Sequence, residues 1–276
     1  MTSELWQAAV LGVVQGLTEF LPVSSTGHLI LVPAVFGWTD STLNTLEFDA
    51  ALHLGTLAAL LAVFWRDWIG LARAALVGLK DRSVDDGQAR LAWLLLLGTI
   101  PGVVAGVLFE KQVETALRSP VVVGAAMVGV GILLALIDWV SRRVRDEYSL
   151  GPAGALAIGV GQAVALVPGV SRSGSTIAVA LSLGLTRAAA ARFSFLLSTP
   201  IIAGAVAKQL LDLAQRGLPA SELAALAVGI AAAAISGYAC IRFLLAYLRV
   251  RSLLPFVAYR VVAGSGVLLL AATGRI

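Results

Sequence analysis

The sequence predicts an all-α polytopic membrane protein, with about six transmembrane helices and two re-entrant helix–loop–helix hairpins arranged as an inverted-topology repeat. Three observations predict it. Of 276 residues, 59% are hydrophobic and 13% charged, against about 25% charged in an ordinary soluble domain. The apolar runs are continuous and about twenty residues long, the length of a helical span rather than of barrel strands. A set of four units recurs in the same order in both halves, and such repeats mark two-fold membrane folds. A mean hydropathy of +0.92 excludes a water-soluble enzyme, a nucleic-acid binder and a disordered chain.

The first unit, residues 5–21, is apolar and ends in the loop PVSSTGH (22–28). Its counterpart, residues 153–167, ends in PGVSRSGST (168–176). Pro with Ser and Gly inside an apolar stretch predicts a hairpin that enters and leaves on one side. Irregular backbone at that depth is tolerated only where it is buried in protein or lines a cavity. The second unit, 48–65, is answered by 193–213; the third, 91–109, by 223–245; the fourth, 120–140, by 255–273. Gly12-Val-Val-Gln15 parallels Gly159-Val-Gly-Gln162 at an offset of 147, and Pro120 and Gly131 parallel Pro255 and Gly266 at 135. The chain therefore reads as one membrane domain of two inverted repeats, 1–140 and 152–276, joined by a polar linker at 141–151. The N-terminus carries Glu4 in place of a basic region, which argues against a cleaved leader.

Charge placement orients the chain. With three spans per half, one side receives Arg66, Arg73, Lys80, Arg82, Arg90, Arg142, Arg143, Arg145, Arg187, Arg192, Arg242, Arg249 and Arg251. The other receives Lys111, Arg118, Lys208, Arg216 and Arg275, while Arg172 and Arg260 fall inside membrane segments. That split of 13 against 5 obeys the positive-inside rule. If all eight units spanned, it would weaken to 11 against 7. Three spans per half is odd, so the halves are inverted, the hairpins meet near the midplane, and both termini lie outside.

Ionisable groups inside apolar segments are costly and mark function by default. Gln15 and Glu19 are four apart and share a helix face. Glu19 precedes Ser24, Ser25, Thr26 and His28: a carboxylate, hydroxyls and an imidazole, suited to metal ligation or general-base chemistry with a nucleophile. Ser24 or Ser25 also suits a helix N-cap. In the second hairpin, Gly169 and Gly174 allow close backbone approach. Ser171, Ser173 and Thr176 supply donors, and Arg172 supplies a permanently charged fork for phosphate oxygens. A helix starting there presents free N–H groups and the positive dipole end to an anion. Arg172 could equally serve to neutralise Glu19.

Other residues read more plainly. Asp49 and His53 share a face and read as a helix-start pair, or as a pair that supports the site from behind. Cys240, the single cysteine, excludes an intrachain disulfide and reads as a small apolar residue. Trp6, Trp38, Trp65, Trp68, Trp93 and Trp139 mostly flank apolar runs, as interfacial belts do. Residues 66–90 read as a solvated loop, and Arg260 has no role assigned by pattern.

Both loops together, QGLTEFLPVSSTGH (15–28) and PGVSRSGST (168–176), resemble the paired signatures of bacterial undecaprenyl-diphosphate phosphatases, the bacitracin-resistance family. EFDAALHLGTLAALLAVFWRD, RFSFLLSTP and PFVAYR are also similar to that family, so the resemblance runs over nearly the whole chain. It implies removal of the terminal phosphate of undecaprenyl diphosphate, recycling the carrier lipid for peptidoglycan synthesis. It also implies a multi-pass protein of the bacterial cytoplasmic (inner) membrane, a site facing the outer side, and a divalent cation, Mg²⁺ or Ca²⁺. Gln15 and Glu19 would be its metal motif, with Gln15 where many relatives have Glu. Ser25, His28, Ser171, Arg172, Ser173 and Thr176 match its remaining positions.

On that reading the diphosphate sits between the hairpins and the polyprenyl tail lies among membrane lipids. Glu19 with Gln15 holds the cation, and Arg172 stabilises the transferring phosphoryl group. The attacking group is Ser25, His28 or water, with Ser25 as nucleophile and His28 as its base the favoured pairing. The rival is a polyprenyl-phosphate transporter or flippase using the same anion site, which needs no nucleophile. A homo-oligomer is compatible with the sequence; a nucleic-acid partner is not.

Overall fold

The chain is described by a computed structural model that covers residues 2–38, 43, 45–83, 85–117, 119–216 and 220–274. It folds into α1 (Thr2–Thr18), α2 (Ser25–Phe36), α3 (Leu46–Asp81), α4 (Gly87–Ala116) and α5 (Pro120–Val140). A short 3₁₀ turn (Glu147–Ser149) leads to α6 (Pro152–Val164), α7 (Arg172–Ser182), α8 (Arg187–Arg216), α9 (Ala220–Tyr247) and α10 (Leu254–Ala272). Six of these, α3, α4, α5, α8, α9 and α10, are long and apolar enough to cross a membrane. The chain is an all-α, multi-pass membrane protein. Large apolar side chains such as Val107, Trp139, Ile235 and Val262 lie more than two-thirds exposed, a surface that suits lipid and not water.

Helices α1, α2, α6 and α7 have 17, 12, 13 and 11 residues, all short of the roughly twenty a span needs. They form two helix–loop–helix hairpins, α1–α2 and α6–α7. Pro22 and Pro168 lie in the loops, where a missing N–H costs nothing. Each second helix then starts on a serine N-cap. Ser24 accepts from the Gly27 N–H and Ser171 from the Gly174 N–H. Both caps hold the same unusual backbone, φ 79° at Ser24 and φ 75° at Ser171. They stand 147 residues apart, the offset that separates Gln15 from Gln162. Strained non-glycine residues of this kind persist only where the surroundings over-determine them, commonly at functional sites.

The hairpins pack crosswise: α1 lies against α9, and α6 against α4. Gly12 and Gly159, also 147 apart, make the contacts. A Cβ on Gly12 would stand 2.3 Å from the Gly229 carbonyl oxygen, and one on Gly159 would stand 2.2 Å from that of Gly98. Small residues let backbones meet where lipid offers no hydrophobic drive to associate. Between the hairpins, α3 packs on α8 and α9, and α5 on α10. Phe20, Phe64 and Phe195 fill the centre, Phe20 meeting Phe195 edge-on at 5.5 Å.

One expectation is corrected. Residues 66–90 are not a loop: α3 continues to Asp81, kinked at Phe64, and only a short connection precedes α4. The charges there are spaced by Leu and Ala, strong helix formers. The helix stops where Arg82 turns left-handed and its N–H returns to the Gly78 carbonyl. The linker at 141–151 also proves structured. Val144 and Arg145 donate to the Gly184 carbonyl, and buried Glu147 accepts from Arg192 Nε at 2.8 Å. Arg192 also pairs with Asp67, and Arg187 grips Asp138 with Nε at 2.6 Å and Nη2 at 3.0 Å. One pole of the bundle thus gathers much of the basic charge. Arg118 and Arg275, assigned to the other side, lie outside the described residues, as do the side chains of Lys111 and Arg216.

Candidate functional site

Glu19 follows the last turn of α1, and its N–H still donates to the Gln15 carbonyl. The side chain is 6% exposed, a costly place for a carboxylate unless it is paired. Its partners come from four elements. Oε2 accepts from Ser25 Oγ at 2.6 Å, at the start of α2, and from Gln15 Nε2 at 3.1 Å, on α1. Oε1 faces the guanidinium of Arg172, the first residue of α7. His53 Nε2, on α3, stands 3.8 Å from Oε2. Carboxylate, hydroxyl and guanidinium therefore converge where two hairpin tips meet.

Beside them lies a cavity of about 230 Å³. Its polar side is formed by Thr18, Glu19, Ser24, Ser25, Thr26, His53, Ser171 and Arg172. Gly102, Gln162, Ala165, Leu166, Val167, Ile201, Ile202 and Ala205 complete the lining, apolar except for Gln162. A charged head and an apolar continuation in one cavity suit an amphiphilic anion.

Other predicted residues hold the hairpins in shape. Ser173 Oγ donates to the Leu21 carbonyl at 3.0 Å, tying one hairpin to the other. Thr176 is fully buried, donates to the Arg172 carbonyl at 2.7 Å and meets Ser194 Oγ at 2.6 Å on α8. Gly169 has φ 94°, and a Cβ there would stand 2.5 Å from the Val123 carbonyl oxygen; only glycine lets this loop rest on α5. Gly174 packs against Ser171 and Arg260. None of these four lines the cavity.

The expected Ser25–His28 pairing is not formed. His28 Nδ1–H donates to the Ser24 carbonyl at 2.6 Å, and Nε2 accepts from Tyr259 O–H at 2.6 Å, the rings stacking at 5.6 Å. The imidazole thus braces the Ser24 cap, and Ser25 pairs with Glu19 instead.

The structure gives places to three residues that the sequence left without a role in the site. His53 lies beside Glu19, on the polar side of the cavity, with Nδ1–H donating to the Asp49 carbonyl at 2.9 Å. Gln162, the counterpart of Gln15, lines the wall; the repeat itself was the signal that could have found it. Arg260 is wholly buried and donates to five backbone carbonyls. Pro22 (3.0 Å) belongs to the first loop, Gly169 (2.8 Å) and Val170 (3.1 Å) to the second, and Ala126 (3.2 Å) and Met127 (3.0 Å) to α5. One guanidinium fastens both hairpin tips to one helix, with Gly131 leaving it room. Only its charge in an apolar run hinted at this.

Comparison with known proteins places this geometry. The family described as bacitracin resistance protein BacA matches residues 8–266. The chain belongs to that family. A protein of Stutzerimonas stutzeri named undecaprenyl-diphosphatase 2 is 48% identical over 270 residues, covering 97% of this chain and 98% of its own. Proteins named undecaprenyl-diphosphatase from Pelotomaculum thermopropionicum and Pelobacter propionicus are 47% and 45% identical, over 97% and 98% of each chain. Both hairpin loops, their serine caps and Arg260 thus lie within the span that matches the bacitracin-resistance family.

Proposed function

We propose that this chain is an integral-membrane phosphatase that hydrolyses undecaprenyl diphosphate to undecaprenyl phosphate and inorganic phosphate, recycling the carrier lipid for cell-wall synthesis. The observation that carries the reading is the meeting of Glu19, Ser25 and Arg172 at two facing helix starts, in a cavity with an apolar wall. The full-length relatives named undecaprenyl-diphosphatase supply the substrate.

Without substrate, Arg172 neutralises Glu19. A diphosphate entering the cavity draws the guanidinium onto its terminal phosphate, at the positive dipole end of α7. Ser25 Oγ attacks the terminal phosphorus and passes its proton to Glu19 Oε2. The P–O bond to the lipid phosphate breaks, and water then releases inorganic phosphate from Ser25. Glu19 is the better placed base, because both His28 nitrogens are engaged. A flippase would not need a hydroxyl hydrogen-bonded to a carboxylate.

The donors suit a hard divalent cation shared with substrate phosphates, Mg²⁺ or Ca²⁺. Glu19 supplies a carboxylate, and among the described residues Gln15 Oε1 is buried without a partner. Such cations commonly take one or two carboxylates plus phosphate oxygens. Among the described residues no cluster of three His, Cys, Asp or Glu groups exists, so the substrate would complete the coordination. Bound there, the cation would neutralise phosphate charge. We place the basic pole in the cytoplasm of a bacterial cell, with the site toward the outer face of the cytoplasmic membrane and both termini outside.

The test is phosphate release from undecaprenyl diphosphate by detergent-purified protein, with and without EDTA, beside Arg172→Ala. Metal-dependent release that is lost in the variant is expected. Well-folded protein that releases nothing under any metal refutes the reading.

A further inference from the structure

Among the described residues, Gln162 carries a buried carboxamide with no partner. The residue is 3% exposed, and among the described residues neither Oε1 nor Nε2 makes a hydrogen bond. In the first hairpin the equivalent Gln15 spends its Nε2 on Glu19, four residues on. In the second hairpin that position is Leu166, so the amide is left over. Burying an amide without partners is destabilising. A Leu or Met would fill the same space without that penalty, so the amide's presence asks for a ligand.

The position says which part of the ligand. Gln162 sits on α6 at the cavity wall, and Nε2 lies close to Gly102, 3.1 Å from where a Cβ would stand. Ile201 borders the same spot. Gly102 and Ile201 line the cavity with Gln162, so the amide's immediate neighbours there are apolar, and Gln162 is not among the partners of Glu19. Nothing fixes the carboxamide there, and the terminal torsion of Gln is broad and soft, so Nε2 can turn into the cavity. A polyprenyl diphosphate attacked at its terminal phosphate by Ser25 has its lipid-linked phosphate on the side of its tail.

We infer that Gln162 binds the lipid-linked phosphate of the substrate through Nε2–H, and so holds the leaving group and, after cleavage, the monophosphate product. This inference rests on the phosphatase reading. It extends the site from the hairpin tips to the wall formed by α4, α6 and α8.

Gln162→Met removes the amide at similar shape, and Gln162→Glu keeps the shape but sets a negative charge against the phosphate. The assays use farnesyl diphosphate as substrate, with farnesyl monophosphate and inorganic phosphate as inhibitors, and a thermal melt in detergent. Met should raise KM and weaken monophosphate inhibition by about tenfold or more, the worth of one hydrogen bond to a charged group. Glu should raise both further, inhibition by inorganic phosphate should hold, and the Met protein should melt no lower than wild type. Unchanged KM and monophosphate inhibition would overturn the inference. So would a Met protein that melts well below wild type, since that would make the amide structural. If wild-type protein releases no phosphate, the phosphatase reading fails on its own. The thermal shift by farnesyl monophosphate, wild type against Met, then still tests the contact: a shift kept by Met refutes it, and a shift lost by Met supports it.

Discussion

Replacing Arg260 with Met should disable the protein through geometry more than through loss of charge. The guanidinium supplies the hydrogen bonds that hold Pro22, Gly169 and Val170 carbonyls of the two loops together. Its bonds to Ala126 and Met127 reach carbonyls of α5. Three loop carbonyls left buried would cost about 1–3 kcal/mol each, roughly 3–9 in all. Met removes a fully buried cation with no carboxylate partner among the described residues, which offsets part of that cost. A net loss near the lower end, about 3 kcal/mol, is expected. The larger effect is on turnover. The same guanidinium sets the spacing of Ser25 and Glu19 on one hairpin and Arg172 on the other, and a displacement of about 1 Å can cost about a hundredfold. Phosphate release and a thermal melt in detergent should be measured on Arg260→Met and Arg260→Lys. The ammonium of Lys offers three donors in place of five, so Lys should recover part of both losses. Arg260→Met with wild-type turnover would refute the clamp.

Glu19→Gln should lower kcat by about 10²–10⁴ as a lost base, and Ser25→Ala should lower it by about a thousandfold or more as a lost nucleophile; a Ser25→Ala protein that keeps most of its rate would point to direct attack by water. His28→Ala should cost less than either, and Tyr259→Phe should add little on that background because both brace Ser24; double-mutant kinetics measure this coupling, and losses that multiply would contradict it. Gly169→Ala should destabilise by about 2–5 kcal/mol, joining a positive-φ penalty to overpacking against Val123, read as a lowered melting temperature; an unchanged melt would show that the loop can move off α5.

Much of the architecture was legible because it is written locally. The six spans follow from runs of apolar residues, and Pro22 and Pro168 with their serine loops mark where the hairpins turn. The main misreading, residues 66–90 as loop, came from weighting charge above helix propensity. The reactive cluster was half legible. Glu19, Ser25 and Arg172 stood out as polar groups in apolar surroundings, but the sequence favoured His28 as the partner of Ser25 and could not choose between it and the alternatives. Three residues of separation puts both in the first turn of α2, yet the Ser24 carbonyl and Tyr259, 231 positions away, hold the ring elsewhere.

The sequence by itself determined that this chain lives in a membrane, how many helices can span it and where its two polar loops interrupt them. Those properties depend on residues adjacent in the chain and on transfer between water and lipid. Tertiary structure alone decided that Glu19 accepts the Ser25 hydroxyl's hydrogen bond, that His53 and Gln162 line the cavity, and that Arg260 binds the two loops. Each of these depends on which helices become neighbours, and close backbone approaches such as Gly12 on Gly229 and Gly159 on Gly98 set that. A buried polar side chain takes its role from the partners those approaches bring or withhold. Gln15 and Gln162, 147 residues apart, differ in their partners because one has a carboxylate within reach and the other only the cavity lining.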